Sequence, residues 1–185
     1  MPIERKLTAI VFTDIAGFTE LSAQDEENAF ALIETQRNVL KPIVKGHGGQ
    51  WLKEIGDGLL LSFPSSIQAV NCALAIQDAV RTIDNLALRI GIHQGDILQK
   101  DDDIFGDDVN IASRIQEYAP VDGVAISQKV EADISSHPKY KTKYIDQPKL
   151  KGVKQEIKIF SVSIQSSIPS SDSEGQKQSQ KKSSN

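Results

Sequence analysis

With a single cysteine, Cys72, the chain cannot form an intramolecular disulfide, and it has no thiol set for a cysteine-built metal site. That usage points to a reducing compartment, and Cys72 itself is assigned to a buried helix position. Aromatic residues are scarce, at 5% of the chain with one tryptophan. Trp51 and Phe63 flank a short turn and are assigned to core or dimer surface rather than to base stacking. A basic surplus is also missing: Lys plus Arg number 21 against 25 for Asp plus Glu, a net charge of −4. Sequence-independent nucleic-acid binding, which needs phosphate neutralisation, is therefore disfavoured. No apolar run approaches the roughly 18 residues of a membrane span, and no signal-like block follows Met1 to Arg5. The expectation is a soluble cytoplasmic protein without an integral span, with peripheral attachment through the tail left open.

What is present is a globular balance of 39% hydrophobic and 25% charged residues over 185 positions, enough for one domain with an appendage but not for a two-domain enzyme. The appendage is residues 165–185, rich in Ser, Gln and Lys with Ile168 as its one apolar residue. That composition cannot repay the entropy of ordering, so a disordered tail is expected after a domain over residues 1–164. Asp172 and Glu174 against Lys177, Lys181 and Lys182 give the tail +1 and leave the domain at −5.

Leu7 to Ile15 is a β-type apolar run stopped by the glycine of AGFT, and reads as a central strand ending at Asp14. Ser22 with Asp25 forms a capping-box pattern ahead of apolar residues at helical spacing, which predicts one long helix to Gly48. Gln50 to Ile55 and Leu59 to Phe63 predict a hairpin with Gly56-Asp57-Gly58 at its tip. A second helix is predicted over Ser65 to Thr82, then strands Leu86 to His93 and Asp96 to Gln99 around Gln94-Gly95. A helix N-capped by Asp107 and running through Tyr118 follows, then Val124 to Ile126, a short helix, and Ile157 to Val162. Runs of both types without strict alternation favour α+β with a mostly antiparallel sheet.

Two carboxylates stand at strand edges, Asp14 before a glycine turn and Asp57 in the hairpin tip. A hard divalent cation takes oxygen ligands, usually one or two carboxylates plus substrate phosphate oxygens, and two facing acidic tips suit such a site. Asp beside Gly is also ordinary turn chemistry, and spacing alone leaves both readings open. In DIFGDDVNIASR, a helix from Asp107 puts Asn110 and Arg114 on one face, fit for a phosphate or, equally on spacing, for a solvated face with an Arg114–Glu117 pair. Asp107 and Asp108 are assigned to capping and helix-dipole compensation. Lys53 lies about 13 Å along an extended strand from Asp57, so the two serve different parts of a ligand or different ligands. Taken alone, Lys53 is a solvated strand lysine. His47, His93 and His137 are scattered, none at metal-ligand spacing to another.

FTDIAGFT, WLKEIGDGLLLSF and DIFGDDVNIASR, in that order, resemble the catalytic domain of class III nucleotidyl cyclases. The likeness runs from about Arg5 to Val162, where LKGVKQEIKIFSV is similar to the family's closing strand; no GGDEF-like signature of the diguanylate cyclases occurs. The resemblance implies a ferredoxin-like, palm-type α+β fold. It implies that Asp14 and Asp57 hold two Mg²⁺ or Mn²⁺ ions with the carbonyl of Ile15, and that the backbone N–H groups of Gly17, Phe18 and Thr19 receive the triphosphate. It implies that Lys53 and Asp103 select adenine, that Asn110 orients the ribose, and that Arg114 stabilises the reacting α-phosphate. Lys151 is aligned with a β,γ-phosphate contact, with Lys154 as its rival. The family's metal aspartates come from one protomer and its other site residues from the partner, so a chain with the complete set implies a homodimer with two interface sites. The expected activity is conversion of ATP to 3′,5′-cyclic AMP and pyrophosphate. A guanylyl cyclase, or a nucleotide-binding regulatory module without turnover, is the alternative, and an unidentified regulatory partner is left open. Cyclases of this family usually carry a regulatory domain or anchor, so the chain is either a standalone cyclase or a fragment.

Overall fold

A computed structural model describes residues 2–164; the tail expected from residue 165 lies outside the described residues. Strand β1 (Glu4–Ile15) pairs antiparallel with β3 (Gly58–Phe63) on one side and β4 (Leu88–Lys100) on the other. Outward from that centre lie β2 (Gln50–Ile55) next to β3, and β6 (Val124–Ser127), β8 (Ile159–Ile164) and β7 (Tyr140–Asp146) beyond β4. Short β5 (Asp103–Phe105) pairs with the end of β4. The β4–β6 ladder is parallel and the other ladders are antiparallel, so the architecture is the mostly antiparallel α+β sheet expected.

The continuous apolar run of β1 is explained by burial on both faces. Ala9, Val11 and Ile15 join Leu59, Leu61, Phe63, Leu88, Ile90 and Ile92 in the main core. Helices α2 (Glu26–Gly46), α3 (Ser66–Val80) and α5 (Gln128–Ile134) cover that face. Ile10 points the other way, into a smaller cluster with Leu60, Ile97, Ile104 and Ala112 beneath α4 (Asp107–Gln116). A Cβ on Gly91 would overlap the backbone of Gln116, and one on Gly95 the carboxyl of Asp108. These two glycines therefore allow α4 to lie directly on β4.

The same contact corrects the expected break at Gln94-Gly95: β4 runs unbroken from Leu88 to Lys100, because Gly95 marks a helix approach rather than a turn. The single long helix after β1 is two, α1 (Phe18–Gln24) and α2. Asp25, not Ser22, caps the second, its side chain accepting the Asn28 N–H. Gly106, at φ 139°, rather than Asp107, precedes α4, which ends at Gln116. Ser65 caps α3 by accepting from the Gln68 N–H. Strands β5 and β7 were not anticipated. Trp51 is half-buried against the main core and Phe63 lies within it.

Cys72 is buried on α3, and burial pushes its thiol up to about 12. The thiolate is the reactive species, so Cys72 is expected to resist Ellman's reagent in the native chain at pH 8 and to react stoichiometrically in denaturant. Rapid native labelling would contradict its place in the core. No helix among the described residues is long and apolar enough to cross a membrane.

Candidate active site

The end of β1 and the β2–β3 hairpin build the first group of residues. Gly56, at φ +60°, turns the chain, and Gly58 lies so near β1 that a Cβ would press on the carbonyl oxygen of Thr13. The hairpin tip is thus fastened to the strand that carries Asp14. Asp57 Oδ2 accepts the Ile15 N–H at 2.8 Å, which sets the Asp57 carboxylate beside the Asp14–Ile15 peptide. Gln36, buried on α2, donates through Nε2 to the Asp57 carbonyl at 3.2 Å. The Asp14 carboxylate is held from the opposite side: Arg89 on β4 donates Nε to Oδ1 at 3.1 Å and Nη2 to Oδ2 at 3.3 Å. Gly17, at φ +75°, turns the chain into α1, where Phe18 and Thr19 begin the helix.

The donor set here fits a hard divalent ion. It offers two carboxylates and a backbone carbonyl at one strand end. Among the described residues no three His, Cys, Asp or Glu side chains converge. An ion at Asp14 and Asp57 would therefore complete its shell with main-chain, solvent or substrate oxygens, as Mg²⁺ commonly does.

The second group surrounds α4. A register shift in β2 between Trp51 and Lys53 precedes the lysine, which donates Nζ to Asp103 Oδ2 at 2.9 Å. The other Asp103 oxygen accepts the Ile104 N–H at 2.9 Å. Both side chains of the Lys53–Asp103 pair remain partly open to solvent. The structure thus joins two residues that lie fifty positions apart. Asn110 and Arg114, one turn apart on α4, line a cleft of about 790 Å³ together with Lys151 and Lys154. Both candidate lysines reach the cleft, so its outline selects neither. Arg114 Nη1 donates to Glu117 Oε1 at 3.1 Å, the surface pairing open from the sequence. None of Asp14, Ile15, Asp57, Lys53 or Asp103 lines this cleft.

Asp108 does more than compensate a helix dipole. Its Oδ1 lies 2.8 Å from Nε2 of His93, whose Nδ1 lies 2.8 Å from Ser127 Oγ. A carboxylate only accepts, so Nε2–H donates to Asp108 and the Ser127 hydroxyl donates to Nδ1 of a neutral ring. Burial holds the His93 pKa below its usual value, with Lys129 adding to that effect and Asp108 opposing it. This histidine ties the first turn of α4 to the strand end that caps α5. The unfolded chain takes up a proton near pH 6.5 that the folded chain refuses. The His93 contribution to stability is therefore full above pH 6.5 and declines as pH falls below it. The urea midpoint is expected to drop between pH 7.5 and 5.5, with a shallower drop in His93→Gln; parallel slopes would contradict this.

Gln36, Arg89 and His93 are the site-supporting residues that the sequence reading missed. Arg89 alone left a signal, a charged side chain set between the buried residues Leu88 and Ile90.

The chain belongs to the adenylate and guanylate cyclase catalytic domain family, whose model matches residues 4–164. Among relatives, a Rhizobium meliloti (strain 1021) protein named "Putative adenylate cyclase 3" is 39% identical over 136 residues, covering 69% of this chain and 23% of that protein. The adenylate cyclase of Streptomyces coelicolor is 32% identical over 126 residues, 67% of this chain and 33% of its own length. This chain therefore spans a third or less of either relative. Among solved structures, an adenylate/guanylate cyclase/hydrolase from Silicibacter pomeroyi superposes with a TM-score of 0.80 at 30% identity, covering 86% of this chain and 98% of that one. The adenylyl cyclase CyaB from P. aeruginosa shares the fold, with a TM-score of 0.82 at 23% identity over 90% of this chain and 98% of its own.

Proposed function

We propose that this domain is an adenylyl cyclase that converts ATP to 3′,5′-cyclic AMP and pyrophosphate. The ribose 3′-oxygen forms a bond to the α-phosphorus as it gives up its proton, and the bond from that phosphorus to the β-phosphate bridging oxygen breaks. The observation that carries the choice of ATP is the contact of Lys53 with Asp103. Adenine presents an acceptor at N1 beside a donating amino group, and this pair supplies an ammonium donor beside a carboxylate acceptor. Guanine offers a carbonyl where adenine has the amine and would face Asp103 with no donor between them. One buried polar group left unpaired costs about 1 to 3 kcal/mol.

Asn110 orients the ribose, and Arg114, one helical turn on, neutralises charge that grows on the α-phosphate in the transition state. Lys151 binds the distal phosphates; Lys154, on the same cleft, is its alternate. The N–H groups of Gly17, Phe18 and Thr19 receive the triphosphate. Asp14, Asp57 and the Ile15 carbonyl would hold two Mg²⁺ or Mn²⁺ ions, which would supply Lewis acidity to the reacting phosphate. The Ile15 N–H and Gln36 keep the Asp57 turn in place for that duty. A site completed by a second copy of the chain is what the family resemblance implies for a chain that carries the complete residue set. Each homodimer would hold two sites, with Asp14 and Asp57 from one protomer facing Lys53, Asp103, Asn110 and Arg114 of its partner.

The test is product identity. The purified chain, given ATP or GTP with Mg²⁺ or Mn²⁺, is expected to make cyclic AMP from ATP far faster than cyclic GMP from GTP. Preference for GTP would reverse the base-selection reading. No product from either, with metal-nucleotide binding intact in a dimeric sample, would leave a regulatory module.

A further inference from the structure

Asp14 and Asp57 are held by different kinds of partner. Asp57 rests on a neutral donor, the Ile15 N–H, whereas Asp14 rests on a full positive charge that engages both of its oxygens. Asp14 and Arg89 are direct cross-strand partners in the β1–β4 ladder, so the backbone register itself brings them together. Arg89 stands between the fully buried Leu88 and Ile90, in a strand where a charge needs a reason. The pair is about two-thirds shielded, with side-chain exposures of 35% and 29%.

We propose that Arg89 is the resident counter-cation of Asp14, which a divalent ion must displace, and that it thereby weakens and sets the metal affinity of this half of the site. This rests on the metal reading of Asp14 above. An ion that approaches Asp14 on the side the guanidinium occupies displaces an Arg89 hydrogen bond, and the guanidinium left beside it repels the incoming charge. Arg89 is a positioning residue in this account. Without the ion it keeps the Asp14 carboxylate in place, and it cedes that carboxylate when the ion arrives.

The sign of the effect separates this role from a merely structural one. If Arg89 only braced Asp14, its loss would weaken metal binding; as a competitor, its loss strengthens it. The measurement is a Mn²⁺ titration of the full chain without nucleotide, with free Mn²⁺ read by electron paramagnetic resonance. Relative to the wild type, Arg89→Gln is expected to bind Mn²⁺ more tightly by about tenfold or more, the effect that removing a unit charge a few ångströms from a divalent ion has even at a water-like dielectric. Arg89→Lys should fall between the two, because an ammonium acts as a point charge and lacks the planar fork that spans both carboxylate oxygens. Should the Gln variant fail to fold, the Lys variant carries the same sign. Unchanged or weaker Mn²⁺ binding in the folded variants, with Asp14-dependent binding kept in the wild type, would overturn the proposal while leaving the metal reading intact. Wild-type binding that survives Asp14→Asn would overturn the metal reading and the proposal together.

Discussion

Asp14→Ala and Arg114→Ala chains are each expected to make no measurable cyclic AMP alone, and a one-to-one mixture of the two to recover about a quarter of wild-type specific activity. The single losses are large because each residue acts where charge changes. Loss of the Asp14 carboxylate removes a metal ligand and should cost more than about 100-fold. An arginine that meets phosphoryl charge contributes about 1,000-fold or more. The recovery follows from symmetry: random exchange makes half of the dimers hybrid, and each hybrid has one of its two sites intact. The experiment is motivated by the two-protomer site that the family resemblance implies, with Asp14 from one copy and Arg114 from the other. Demonstrated heterodimers without any recovery would mean that each site is built within a single chain.

A comparably large shift is expected in nucleotide choice. Guanine presents a donating N1–H and amino group beside an accepting O6, the reverse of what Lys53 and Asp103 match. Lys53→Glu with Asp103→Asn provides an acceptor and a donor in the same two places. The ratio of kcat/KM for ATP to that for GTP should fall by about 100-fold or more, from two matched contacts of about 1 to 3 kcal/mol each. The Lys53→Glu single variant should lose activity with both nucleotides, because it sets a carboxylate against Asp103 where an ion pair stood at 2.9 Å. A ratio unchanged in the double variant would place base recognition elsewhere in the chain.

The elements legible in the sequence are those with a dense apolar signal or an unmistakable turn. The runs in β1 and β3, the Gly-Asp-Gly tip and the apolar face of α3 each point to one element type. Helix α1 escaped because it is seven residues long and buries none of them. Strand β7 escaped because Tyr140, Thr142 and Tyr144, alternating with Lys141 and Lys143, include no aliphatic residue before Ile145, as suits a strand at the sheet edge. The break expected at Gly95 reflects a general limit: glycine signals a turn and a close helix approach with the same letter, and only the position of α4 tells them apart.

The candidate site divides along similar lines. Asp14 and Asp57 stood out because carboxylates at glycine-flanked strand ends are conspicuous. Spacing could not bring Lys53 to Asp103, since their contact depends on the folded placement of β2 beside β3 and of β5 beside β4. The partner of Arg89 was hidden for a related reason: it is set by the β1–β4 register, 75 residues distant in the chain. Gln36 and His93 act through a backbone carbonyl and a buried hydroxyl, partners that leave no pattern in a sequence.

The central claim, that two copies of this chain jointly cyclise ATP, is tested most directly by the rate of cyclic AMP formation per protomer across a wide range of protein concentration, with GTP run in parallel. The account predicts a specific activity with ATP that rises with concentration to a plateau as dimers fill, tracks the dimer fraction measured by sedimentation, and exceeds the rate with GTP throughout. A specific activity already at its plateau where the chain is monomeric, or a faster rate with GTP, would contradict it.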